Sequence, residues 1–233
     1  MYSTLERFLK YVTYDTQSVA EASVVPSTPG QLVLAKAMAE ELRALGLRDV
    51  ELTEHAYVTA TLPGNTRKKV PAVGFIAHLD TATELTGKDV KPRVVKNYDG
   101  GDIVLNAAEG VTLSPRDFPF LADCKGQDLV VTDGTTLLGA DDKAGMAEVM
   151  GALDYLVKHP EIEHGDVKVA FTPDEEVGHL AKLLDIEKFG ADFAYTLDGG
   201  PVGEACCENF NAANATVRIL GRSEEHTSEL QSR

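Results

Sequence analysis

Residues 72–80 read AVGFIAHLD, an unbroken apolar run closed by a histidine and an aspartate. A strand with one wet face alternates apolar and polar residues, so a continuous run fits a strand buried on both faces, inside a sheet covered by helices. The rest of the chain repeats that constraint. DVKVAFTP and FAYTLDGG read as two further core strands, and DVELTEH and YVTATLP as shorter β-type runs separated by a turn. Helical patterns lie between them. Ser3 and Glu6 form a capping box ahead of Leu5, Phe8, Leu9 and Val12. Thr28, Pro29 and Gln31 repeat the start signal before a helix over 32–45 that Gly46 closes. Further helices are expected over 143–159 and around 180–189. Strands alternating with helices predict an α/β fold, a three-layer sandwich with a central mixed, largely parallel sheet. Residues 81–126, rich in Gly, Lys, Asp and Pro with only short strand pieces such as DIVLN, read as an excursion within that domain.

Composition narrows the partners. Among 233 residues the formal net charge is −15, which repels phosphate backbones and anionic lipid, so nucleic acid and membrane surfaces are excluded as partners. The amino terminus, MYSTLERFLKYV, lacks a basic segment followed by an apolar one, and no run is long enough to span a bilayer. A cytoplasmic location is expected. Cys124, Cys206 and Cys207 form no C-x-x-C spacing, and an odd count argues against a disulfide framework. The vicinal pair Cys206 and Cys207 is expected to pack in the interior.

The acids that carry chemistry sit at the carboxyl ends of the apolar strands. GFIAHLD ends in His78 and Asp80, and TTLLGADDKAG presents Asp141 and Asp142 before a helix. VAFTPDEEVG ends in Asp174, Glu175 and Glu176, and AYTLDGG in Asp198. That edge of an open α/β sheet is where ligands bind. His78 and Asp80 are two residues apart, so in an extended chain they project to one side, and the carboxylate can orient the imidazole. Carboxylates crowded around one imidazole repel one another unless a cation neutralises them, which a pair of divalent ions with a bridging carboxylate would do. Imidazole with carboxylates favours zinc. Of the adjacent Glu175 and Glu176, one can bind metal while the other takes a proton from water whose pKa the metal lowers to about 7. Taken singly, each motif also has a plain reading: HLD as a strand end, DEE as a solvated turn, GADDKAG as a helix entry capped by Asp142, DGG as a turn. Their joint occurrence on successive core strands points to metal-assisted hydrolysis.

With these residues the chain resembles the two-zinc exopeptidase family, which includes aminoacylases, glutamate carboxypeptidases and desuccinylases. HLDT, LLGADDKAG, FTPDEEVG and YTLDGG are similar in type to the wider family. VPSTPGQ, GGDIVLN, LSPRDFP and ENFNAA resemble its tripeptide-cleaving branch. The resemblance runs from about Leu5 to Gly221. It implies two zinc ions per complete site, with His78 and Asp198 on the first, Asp141 bridging and Glu176 on the second. Glu175 would be the general base, Asp80 would clamp the His78 ring, and the Asp141–Asp142 peptide bond would be cis. The implied reaction releases the amino-terminal residue of tripeptides. A dipeptidase or an N-acyl amino acid deacylase of the same family, or a metal-binding protein without activity, are the alternatives.

The resemblance also implies a lid domain beyond the VRILG strand, with a His-Pro-Gly segment and a returning histidine for the second zinc. Here the sequence instead reads RSEEHTSELQSR after Gly221, and Arg222 to Ser232 match, codon by codon, the translation of a common sequencing-adapter read. The expected division is therefore 1–208 as part of the peptidase catalytic domain, 209–221 as the first lid strand, and 222–233 as adapter-derived. On that reading the second zinc lacks a ligand, and hydrolysis by the chain alone is not expected.

Overall fold

The buried apolar runs form the sheet they predict. In the computed structural model, which describes residues 2–178, 183–200, 202–208, 213, 215 and 217, nine strands are assigned. They are β1 (Arg48–Leu52), β2 (Val58–Leu62), β3 (Val73–His78), β4 (Arg93–Val95), β5 (Ile103–Asn106), β6 (Val111–Leu113), β7 (Leu129–Val131), β8 (Val167–Thr172) and β9 (Phe193–Thr196). The helices are α1 (Thr4–Tyr11), α2 (Pro29–Ala44), α3 (Ala140–Lys158) and α4 (Ile186–Phe189). Five strands make the central sheet in the order β1-β2-β8-β3-β9. β3 runs parallel to both β8 and β9, while β2 is antiparallel to β8 and to β1. Four strands thus share one direction and β2 alone is reversed, a mixed and largely parallel α/β sheet as expected.

One face of the sheet carries the main core. Val58, Ala60 and Leu62 of β2, Ala77 of β3, and Val167, Val169 and Phe171 of β8 pack with Phe8 and Tyr11 of α1, Leu34, Met38 and Leu42 of α2, and Met146, Met150 and Leu153 of α3. Each Val, Leu, Met or Phe among them contributes about 1.5–3 kcal/mol when fully buried. α1 and α2 are also joined by a buried ion pair, Arg7 Nε to Glu41 Oε1 at 2.6 Å, with Tyr11 donating to the other Glu41 oxygen at 2.9 Å. Gly74 faces the opposite side, where a Cβ would collide with the Phe189 ring of α4 and with Ala194. The excursion, which extends beyond the expected 81–126 to take in β7, holds two small sheets, β4-β7 and β5-β6, over a satellite core of Tyr98, Ile103 and Leu121.

Several expectations are corrected. FAYT was expected as a core strand, yet β9 pairs with β3 at the sheet edge, with Phe193 44% and Tyr195 51% exposed. An apolar run reports what a strand can bury, and burial needs a neighbour on the far side. The helix expected around 180–189 is the short α4, residues 179–182 being outside the described ones. Thr28 occupies the N-cap of α2 but its hydroxyl caps no backbone amide and accepts instead from the Gln31 side-chain amide at 3.3 Å. The chain divides into two units, Met1–Gly199 and Gly200–Arg233. In the second, 202–208 form no regular element, and Cys206 and Cys207, expected in the interior, are exposed. The expected lid strand and the tail from Arg222 lie outside the described residues, save for single positions. No helix among the described residues is long and apolar enough to cross a membrane.

Candidate metal centre

Parallel pairing brings the carboxyl ends of β3, β8 and β9 to one edge. The register sets His78 against Thr172 and Ile76 against Thr196, and Leu79 N–H to the Thr172 carbonyl and Leu197 N–H to the Ile76 carbonyl extend the ladders past the strands. Asp174, Glu175 and Glu176 follow β8 and Asp198 follows β9, so all leave the sheet beside His78. Asp141 and Asp142 arrive from the start of α3. Both have non-helical backbone angles and are joined by a cis peptide bond, as the resemblance implied. The regular helix begins after them, where Asp142 Oδ1 accepts from Gly145 N–H at 3.2 Å and acts as its cap.

His78 is buried and held from several sides. Its Nε2 lies 2.9 Å from Asp141 Oδ1 and 3.9 Å from Asp198 Oδ1. Its Nδ1 lies 3.1 Å from the Asp80 carbonyl oxygen and 3.3 Å from Asp80 Oδ1. Its backbone N–H donates to Asp142 Oδ2 at 3.0 Å. Asp80, wholly buried, also accepts from Glu175 N–H at 2.9 Å and Glu176 N–H at 3.1 Å, one on each carboxylate oxygen. The residue expected to clamp the imidazole therefore also ties down the turn carrying both glutamates, a role the sequence did not indicate.

Ligand atoms of His78, Glu175 and Asp198 lie within 4.8 Å of one another, as do those of His78, Asp141 and Glu176. All the predicted site residues are thus brought together, and either glutamate is within ligand reach. Burial, followed by the surrounding carboxylates, raises the pKa of Glu175, Glu176 and Asp198, with the His78 charge working against the shift. Asp142 is pushed up to about 8, chiefly by burial. Burial opposes the charge on His78, but its bonds to Asp80 and Asp141 and the neighbouring carboxylates outweigh that and push it up to about 10. So many acids around one imidazole fit a divalent cation, and the mixture of nitrogen and oxygen donors suits zinc. A small cavity between Thr172, Glu175, Thr196 and Asp198 opens on the cluster. A larger one of about 320 Å³ lies in the excursion, lined by Arg93, Lys96, Tyr98 and Asp102, and includes none of these ligands.

Lys143, which sequence reasoning did not single out, points inward and is almost completely buried. Its ammonium donates to the Tyr14 carbonyl at 2.7 Å, and burial pulls its pKa down to about 8. Asp174 is likewise buried and faces Ser27 and Gln31 rather than the cluster. Neither orientation has a signal in the sequence, since both depend on which distant loop lies underneath.

Known proteins are similar to this chain in sequence and fold. The chain is 58% identical to peptidase T of Geobacillus sp. (strain WCH70) over 219 residues, covering 94% of this chain and 53% of that protein. It is also 58% identical to peptidase T of Alkaliphilus oremlandii over 225 residues, 96% of this chain and 55% of the relative. Among solved structures, aminopeptidase PepT from Bacillus cereus superposes with a TM-score of 0.59 at 27% identity, over 85% of this chain and 43% of that one. A tripeptidase from Staphylococcus aureus gives 0.58 at 28% identity, with the same coverage. No family profile matches the chain. In sequence and fold the chain thus resembles peptidase T over nearly all of its own length and about half of the length of the curated relatives it matches.

Proposed function

We propose that these residues belong to a metal-dependent aminopeptidase that releases the amino-terminal residue of tripeptides. The observation that carries this reading is the convergence of His78, Asp141, Glu175, Glu176 and Asp198 at one sheet edge, in two groups that share His78 and whose ligand atoms each lie within 4.8 Å of one another. The relatives named peptidase T and tripeptidase supply the substrate class. His78 and Asp198 would hold one zinc, Glu176 a second, and Asp141 would bridge. When bound, such ions polarise the scissile carbonyl and make water acidic enough to lose a proton near neutral pH. Glu175 takes that proton on its carboxylate and passes it to the leaving amine. Such a base must be strong enough to accept the proton and weak enough to return it. Asp80 holds the imidazole and the glutamate turn in register. A cytoplasmic setting, where thiols stay reduced, fits the free Cys124, Cys206 and Cys207.

The test is a chimera in which residues 1–221 replace the matching segment of the Geobacillus relative. Presented with tripeptides, dipeptides and N-succinyl amino acids, it should release the amino-terminal residue of tripeptides fastest. Glu175→Gln should lower kcat by about 10²–10⁴-fold while zinc stays bound. Preference for a dipeptide or an acylated amino acid would move the assignment to another branch, and full activity in Glu175→Gln would remove the proposed base.

A further inference from the structure

Three consecutive amides, those of Asp174, Glu175 and Glu176, donate to side chains instead of backbone carbonyls. The last two go to Asp80, and the first goes to Gln31 Oε1 at 3.1 Å. Asp174 is 0% exposed and has a φ of +54°, a left-handed conformation that a side chain adopts at a cost. Its carboxylate accepts from Ser27 N–H at 2.7 Å, from the Ser27 hydroxyl, and from Gln31 Nε2 at 2.7 Å. All three donors are neutral. Gln31 therefore grips Asp174 twice, by backbone and by side chain, and the turn is fixed from the side opposite Asp80.

The grip belongs to a longer device. Ser27 Oγ also accepts from Val19 N–H at 3.0 Å, and the amide and hydroxyl of Ser18 both donate to the Thr81 carbonyl. Thr81 N–H in turn donates to the Thr16 carbonyl at 3.2 Å. One amino-terminal segment thus touches both strand-end loops of the site, beside Asp80 through Thr81 and beside Glu175 through Asp174. It contains the whole VPSTPGQ motif, residues 25–31, which the metal chemistry leaves without a task.

We propose that Asp174, gripped by Ser27 and Gln31, is a positioning residue that aims Glu175 and Glu176 at the acid cluster, with residues 16–31 bracing the two loops against each other. This deepens the metal-centre reading and rests on it. A carboxylate bonded to three donors on a separate element cannot rotate without breaking all of them, so the turn keeps one orientation. Partners one bond removed from metal ligands set affinity by orienting them.

The experiment is titration of the 233-residue chain with Co²⁺, read by visible absorption and by affinity, well below the melting temperature. Asp174→Asn and Gln31→Met are the variants, with far-UV circular dichroism to confirm folding. Ser27→Ala, which removes a single hydroxyl, serves where those fail to fold. Leu62→Ala, in the core beside Val167 and away from the carboxyl edge, is the control for lost stability alone. The brace predicts cobalt affinity about 10–100-fold weaker in the Asp174 and Gln31 variants, with an altered absorption band. Leu62→Ala should melt earlier yet bind within about twofold of the unmodified chain. Folded Asp174, Gln31 or Ser27 variants that bind cobalt with unchanged affinity and spectrum would overturn the brace alone. Absence of cobalt binding by the unmodified chain would overturn the metal-centre reading, and the brace with it.

Discussion

His78 concentrates the electrostatics of the site. Asp141 and Asp198 face Nε2, Asp80 faces Nδ1, and Asp142 receives the backbone N–H, so the metal-free imidazole is held protonated with a pKa of about 10. A ligating nitrogen must first lose that proton, and the raised Glu175, Glu176 and Asp198 shift the balance in the same direction. Zinc uptake at pH 7 should therefore release protons, and affinity should climb with pH up to about 10. Calorimetry in buffers of different ionisation enthalpy measures this, and a binding heat independent of buffer at pH 7 would contradict it. At this scale the sequence was informative about residue types and silent about their bonds. That His78, Glu175, Glu176 and Asp198 share an edge follows from their places at the ends of apolar runs, whereas Asp141 reaches it from the start of α3, which follows no strand of the central sheet. The bonds from Ser27 to Asp174 span 147 positions, and no local pattern encodes a partner so distant.

Among the elements, the entry of α3 controls how closely the acids gather. A Cβ on Gly145 would overlap the Leu197 carbonyl oxygen and Asp142 Oδ1. Leu197 precedes Asp198, and Asp142 anchors His78, so a methyl group there pushes on two sides of the cluster at once. Gly145→Ala should destabilise the fold by about 1–3 kcal/mol in urea unfolding. It should also weaken zinc in a chelator competition, and unchanged values in both would contradict the close approach. The parallel strands and the capping box of α1 were readable because periodicity and caps are local. The exposure of β9 and the missing cap bond of α2 were not, because each is decided by what packs against the element. Gln31 stands where a capping-box residue belongs, yet it stabilises the turn after β8 instead.

For the whole molecule, one sheet edge gathers acids in a chain whose formal net charge is already −15. Native structures keep such crowding where a cation offsets the repulsion. The sheet, its three core helices and the small sheets of the excursion serve to present that edge, and this unit matches relatives about twice the length of the chain. The central claim is that the edge is a divalent-metal centre. Diffraction from crystals of the chain grown with zinc, recorded on both sides of the zinc absorption edge, tests it most directly. The account predicts an anomalous peak about 2.0–2.2 Å from His78 Nε2 and from carboxylate oxygens of Asp141 and Asp198. Zinc found only at other residues, with the His78 cluster empty, would contradict it.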